Sequence, residues 1–297
     1  AARMDKAWDY SRLAALRARD KYAYAQAEEL LERASIAARS LRDKIDRRDL
    51  VDVQVALGEA RFRLGRNDAA LTSYQAARRQ ITDDPVRAAL LHKEEASIYY
   101  RQGRHSVALR SIRRGLHLVE PLGTAPAVTA RSRLEGAYAV VRENQGRYRD
   151  ALAWARRSEE HAEACGDPAA LADALEAVHG ALSMLGRDSD RAYGEEALAL
   201  YGQVGDRVGQ SRALNNLAVH AWITGRGQES LEMFRRAEVL AEEAGDTGGA
   251  AATSYNVGDV LVRLGRSDEA VELLRQLLPV LSGLGVEDFT AAARRAL

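Results

Sequence analysis

One cysteine, Cys165, in 297 residues leaves no disulfide framework to hold this chain together and suits a reducing compartment. Five prolines and an aromatic content of 6%, against abundant Ala, Leu, Glu and Arg, argue for helix throughout rather than sheet. Lysine occurs only at 6, 21, 44 and 93, so a phosphate-cradling G-x-x-x-x-G-K-[ST] loop is excluded beyond residue 93. No uncharged apolar run approaches the roughly 20 residues that cross a bilayer. The opening residues, AARMDKAWDY, have neither an initiator Met nor the apolar core of a signal peptide. The chain therefore reads as a cytoplasmic piece excised from a larger protein.

Acidic and basic residues balance at 43 each, but not along the chain. Residues 1–150 carry 29 Lys+Arg against 20 Asp+Glu, net +9, and residues 151–297 carry net −9. Such a dipole can orient a partner or pack copies head to tail into a homo-oligomer. An uneven spread of solvated faces accounts for it equally well.

What the chain has in abundance is repetition. LGRNDAALTSY (64–74) returns as LGRSDEAVELL (264–274), and Gly-Arg occurs at 65, 103, 146, 186, 225 and 265, at intervals of 38 to 43 residues. Before each glycine runs an amphipathic helix; after it, Asp or Glu often opens a second. In the last copy Ser267 is expected to be the N-cap. A second glycine closes most units, at 123, 166, 205, 245 and 285, and Asp84-Pro85 and Asp167-Pro168 read as helix starts. Seven residues before the Gly-Arg glycines stand Gly58, Ala96, Ala139, His179, Ala218 and Gly258. Five after most of them stand Ala70, Ala108, Ala151, Ser230 and Ala270, with Ala197 as the counterpart in the fifth copy. Small residues on both helices let the pair pack closely. A larger residue follows four later at Tyr74, Ile112, Tyr201, Phe234 and Leu274.

These positions together resemble the tetratricopeptide repeat in a form of about 40 residues. The resemblance covers nearly the whole chain, as repeats over 7–45, 48–83, 86–122, 127–166, 168–205, 207–245 and 247–285, with a partial unit over 286–297. It implies one all-α domain, a right-handed α-α superhelix of about seven helical hairpins and a truncated last helix. A hairpin this small cannot bury its apolar face alone; stacked copies make a continuous core. His179, large and polar at a small-residue position, is the departure, and is expected to open its helix pair locally.

The resemblance further implies that first helices line a concave face where partners bind. On that face the later units place Arg212, Asn215, Asn216, Val219, Trp222 and Ile223, then Tyr255, Asn256, Asp259, Val262 and Arg263. Earlier units place Lys93, Glu94, Arg133, Glu143 and Asn144 there, among others. Asn216 and Asn256 each lie nine residues before their glycine and 40 apart. A carboxamide donates and accepts, so two of them suit the N–H and C=O of an extended peptide. Peptide-binding members of the family use asparagines at the matching place. The alternative is that each merely bonds the next unit's backbone. Trp222 is either an aromatic floor or packing.

Nothing in the chain looks catalytic, and no cofactor or metal is expected. GQVGDRVG (202–209) lies between helices without a preceding strand; His161 and Cys165, at i and i+4, are half a metal site. Arg101, Arg104, Arg110, Arg113 and Arg114 are spread over both helices of one unit, which argues against nucleic acid. The stretch AWDYSRLAALRARDKYAYAQAEELLERASIAAR (7–39) resembles the segment C-terminal to the ATPase module in bacterial adenylate/guanylate cyclases and LuxR-type transcriptional regulators. ALNNLAVHAWITGRGQESLEMFRRAEVLAEEAGD (213–246) resembles their repeat arrays. That implies a protein–protein interaction scaffold, the regulatory arm of a multidomain signalling protein, whose partner is a peptide or an attached ATPase or cyclase domain. The alternative is a sensor of a small molecule or signalling peptide, with a pocket where His179 and the 186–197 linker loosen the stack.

Overall fold

The computed structural model describes residues 2–41, 44–186 and 191–283. They form fourteen α-helices and, among the described residues, no strand. The chain divides into two compact units, Ala1–Pro121 and Leu122–Leu297. The first holds α1 (Ala2–Asp20), α2 (Tyr24–Leu41), α3 (Arg47–Arg63), α4 (Asn67–Gln80), α5 (Pro85–Arg101) and α6 (His105–Val119). The second holds α7 (Ala125–Asn144), α8 (Tyr148–Cys165), α9 (Pro168–Met184), α10 (Arg191–Gln203), α11 (Arg207–Ile223), α12 (Gly227–Glu243), α13 (Thr247–Arg263) and α14 (Ser267–Gly283). The first hairpin thus begins before residue 7, and the partial unit expected over 286–297 lies outside the described residues. No helix among those described is long and apolar enough to cross a membrane.

Within each unit the helices pair as hairpins and each hairpin packs on the next. All six Gly-Arg glycines take the left-handed conformation, at φ between 68° and 80°, which an L side chain adopts only at a cost. The hairpin without a Gly-Arg turns instead on Tyr22, a non-glycine held at φ 58°. Of the closing glycines, 166, 205 and 245 are left-handed and Gly123 is not.

Aspartates, rather than serine, supply the caps. Asp46, Asp84, Asp167, Asp206 and Asp246 each accept a backbone N–H at the start of a first helix. Ser267 is itself the first helical residue, because the Arg266 carbonyl already accepts from the Ala270 N–H. Second helices start behind an arginine with no side-chain cap, as at Arg66, Arg104, Arg147 and Arg226.

The small-residue positions are where the helices touch. Ala70, Ala108, Ala151, Ala197, Ser230 and Ala270 are completely buried. A Cβ on Gly58 would stand 2.6 Å from the ring of Tyr74, and one on Gly258 would stand 3.0 Å from Leu274. The glycine seven before the turn and the large residue nine after it are therefore lock and key across the hairpin. Gly58→Ala is expected to lower stability by roughly 1–3 kcal/mol, because the buried Tyr74 ring has nowhere to go. A thermal unfolding midpoint unchanged from wild type would refute this.

Candidate functional site

In the second unit the first helices α7, α9, α11 and α13 touch in succession. Thirteen residues before the turn glycines lie Asp173 (α9) and Arg212 (α11). Ten before lie Glu176, Asn215 and Tyr255, and nine before lie Asn216 and Asn256 (α13). Residues three or four apart share a helix face, so these side chains meet across neighbouring helices.

They meet as one hydrogen-bonded ladder. Arg212 donates from Nε to both oxygens of Glu176, at 3.0 Å each, and from Nη2 to Glu176 Oε2 at 2.7 Å. The same Nη2 reaches Asp173 Oδ1 at 3.0 Å. The Tyr201 hydroxyl, from α10, lies 2.6 Å from Asp173 Oδ1 and 2.8 Å from Glu176 Oε2. Asn216 Nδ2 donates to Glu176 Oε1 at 2.9 Å. Asn215 Nδ2 then donates to Asn216 Oδ1 at 3.4 Å, and Asn256 Nδ2 to Asn215 Oδ1 at 3.0 Å. Three hairpins are thus tied by side chains alone. The sequence leaves Asn216 and Asn256 a choice between a peptide and the next unit's backbone; their partners here are side chains of the preceding unit.

Charge explains the ladder's order. Glu176 is only 8% exposed, and a carboxylate buried that far needs a cation and donors around it. Burial works against the charge on Arg212, but Glu176, Tyr201 and Asp173 outweigh it and hold the guanidinium well above its ordinary range. Burial pushes the Tyr201 hydroxyl well above its usual value, with Glu176 and Asp173 adding to that and Arg212 opposing. At neutral pH, then, Tyr201 remains a donor and Arg212 a cation. Each asparagine keeps one amide N–H beyond those used in the ladder, and all three are half-buried rather than enclosed.

The remaining expected site residues form a second group. Arg263 lies over the Trp222 ring, 5.9 Å from its centroid, and donates to Asp259 at 2.9 Å. Arg263 and Asp259 thus pair with each other rather than with the ladder. Trp222 is partly buried, packed against the core of Val257, Val260 and Leu261. Tyr255 packs beside Ala251, Leu274, Leu277 and Leu281.

His179 does not line an opening. It is 1% exposed, its ring meets that of His220 edge-on at 5.8 Å, and a Cβ on Gly194 would stand 3.1 Å from it. Gly194 on α10 removes the bulk that His179 adds, a compensation invisible without knowing which residues face each other. His161 and Cys165 do not converge either: His161 turns inward to Glu135 at 2.7 Å while Cys165 bonds the Ala162 carbonyl. Among the described residues no group of three or more His, Cys, Asp or Glu is placed to hold a metal ion.

Sequence reasoning missed Glu176, Asp173 and Tyr201. The signal was present: Glu176 occupies the same rung as Asn215 and Tyr255, ten before its glycine, one position away from the silent Ala177 at nine.

Residues 209–282, from α11 to α14, match the family model for the tetratricopeptide repeat. Residues 209–282 carry tetratricopeptide repeats. No curated protein matches it in sequence. Solved structures resemble it in fold. The Rap conjugation gene regulator of plasmid pLS20, in complex with the Phr* peptide, superposes with a TM-score of 0.73 at 13% identity, over 94% of this chain and 74% of that one. A Rap protein complexed with competence and sporulation factor gives 0.60 at 15% identity, over 97% and 96%. A signal transduction ATPase with numerous domains and a tetratricopeptide repeat sensor, from Pyrococcus horikoshii, gives 0.50 at 14% identity, over 95% of this chain and 49% of that one. The tetratricopeptide assignment explains why the ladder rungs recur at the repeat period: equivalent positions on successive first helices face the same way.

Proposed function

We propose that the chain is a protein-interaction scaffold whose second unit takes up a peptide segment along the first-helix face, on Asn215, Asn216 and Asn256. The carrying observation is the ladder itself. Its asparagines are held in fixed rotamers by Glu176 and by one another, with amide groups spare, so a peptide backbone meets preorganised donors. One Rap protein of this fold was solved with the Phr* peptide and another with competence and sporulation factor, which supports the same use here. Arg212 serves as the anchor of Glu176 rather than as a peptide contact, and Trp222, Tyr255, Asp259 and Arg263 form a separate flank.

The test begins with a displayed random dodecapeptide library panned on the full chain. Peptides retained by wild type are expected to bind the Asn216→Ala/Asn256→Ala double variant about 10–100-fold more weakly, the loss of two or three hydrogen bonds. Undiminished affinity in the variant would eliminate this face.

The finer reading is that the scaffold is the regulatory arm of a multidomain bacterial signalling protein, binding an attached ATPase or cyclase domain. The likeness to a signal transduction ATPase with a tetratricopeptide repeat sensor favours it. The full open reading frame tests it directly, since neighbouring sequence encoding neither module would end it.

A further inference from the structure

At the α7 edge of the same face Glu143 of α7 lies in the notch that the missing side chain of Gly180 leaves on α9. Val140 and Glu143 stand at i and i+3 on α7, and Glu176, Gly180 and Met184 at i, i+4 and i+8 on α9, so each set shares one side of its helix. The Glu143 carboxylate lies directly on the bare backbone of Gly180: a Cβ there would stand 2.5 Å from Oε2 and 3.2 Å from the carboxyl carbon. Val140 and Met184 are 36% and 38% exposed, two of the larger aliphatic side chains that this unit leaves to solvent. Glu176 is already taken up by Arg212, Tyr201 and Asn216. Among the described residues no hydrogen bond or ion pair reaches the Glu143 carboxylate, and its neighbour Arg142 is turned instead to Asp150 on α8 at 3.0 Å and to the Tyr138 hydroxyl at 2.9 Å. Residues 122–297 carry 19 Lys+Arg against 26 Asp+Glu, net −7, so the surroundings attract cations.

We propose that this notch receives a lysine or arginine side chain of the bound peptide, its charged head on the Glu143 carboxylate and its aliphatic stem along Val140, one turn before it on α7. The inference rests on the peptide-binding reading above and specifies its ligand. A long basic side chain is the one natural residue type that joins an apolar stem to a cation at its tip. It supplies the counter-charge that Arg212 gives Glu176 and that no described residue gives Glu143. Acidic peptides meet two like charges here and are rejected. Burial, and then the charge of Glu176, push the Glu143 carboxyl up to about 7. A cation in the notch therefore binds an ionised Glu143 well at pH 8 and less well at pH 6.

The same dodecapeptide library is panned at pH 8 on wild type, on Glu143→Gln and on Gly180→Ala. The last variant keeps a good helix former while its new methyl displaces the carboxylate; circular dichroism verifies that all three fold. Wild type is expected to select peptides with Lys or Arg at one fixed position beside aliphatic residues. Each should lose at least tenfold in affinity on Glu143→Gln, on Gly180→Ala, and when its basic residue is replaced by norleucine. Affinity of histidine-free peptides for wild type should fall severalfold between pH 8 and pH 6, with no such fall on Glu143→Gln. Selected peptides that lack a basic residue, or that ignore Glu143→Gln, overturn the notch; if they still weaken on Asn216→Ala/Asn256→Ala, the peptide face itself stands. Failure of wild type to select any peptide overturns both.

Discussion

Glu176→Ala is expected to destabilise the second unit by about 2–4 kcal/mol. Removing one partner of a buried ion pair leaves the other uncompensated, which costs roughly 3–5 kcal/mol in a closed interior. Arg212 retains Asp173 and Tyr201 and is half-exposed at its side chain, so the lower part of that range applies. Asn216 loses its acceptor at the same time, and with it the register of Asn215 and Asn256. Thermal unfolding followed by hydrogen exchange of α11 and α13 measures both effects. Full protection of those helices in the variant would show that the ladder is decoration on an interface already held by its apolar core. Glu176→Gln, which keeps a carbonyl oxygen for Asn216 but not the charge, should fall between.

Glu143→Gln is expected to stabilise the chain, by about 1–3 kcal/mol at pH 8 and by almost nothing at pH 4. The Glu143 carboxyl is raised from its ordinary 4.5 to about 7, first by burial and then by Glu176. A carboxyl raised on folding binds its proton more tightly in the native state, so its effect is neutral below pH 4.5, turns unfavourable between 4.5 and 7, and is fully unfavourable above. A displacement of that size is worth roughly 3 kcal/mol when fully expressed, and water reaching the half-buried group lowers it. Glutamine carries no charge at any pH and escapes the penalty. Stability curves of the two proteins that stay parallel from pH 4 to pH 8 would refute the assignment. The two carboxylates are linked, because Glu176→Gln removes the like charge and should draw the Glu143 midpoint down from about 7 toward 4.5, readable by carboxyl carbon NMR.

These effects separate a carboxylate that ties hairpins together from one that costs stability when ionised. Among the described residues Glu135 is as buried as any carboxylate, yet Arg157, Arg131 and His161 surround it, and it needs no further explanation. Among the described residues Glu143 has no such company. A destabilising ionisable group is a common mark of a site whose energetics are completed by a ligand, as proposed above for Glu143.

Much of the architecture was legible in the sequence because it depends on local chemistry. Gly65, Gly103, Gly146, Gly186, Gly225 and Gly265 mark left-handed turns that other residues resist, and alanines at fixed distances from them mark close helix contact. Asp84 and Asp167 announce helix starts through their own backbone bonds. The expected cap at Ser267 failed for a related reason: the Gly-Arg turn already delivers the helix start at the arginine, so no side-chain acceptor is required there. The Asn216 and Asn256 rungs were also visible, since period and chemistry coincided.

The chain's own order of residues therefore determined its helices, its turns, the spacing of its hairpins and the faces on which polar groups fall, all of which arise from interactions within about one repeat. Which of those groups would neutralise one another was decided only by the tertiary structure. Asn216 meets Glu176 from 40 residues away, His179 is accommodated by Gly194 on the opposing helix, and Glu143 comes to rest on Gly180 with no counter-charge among the described residues. Those pairings depend on offsets of an ångström or two between stacked helices, and side-chain packing fixes such offsets without leaving a periodic trace in the sequence.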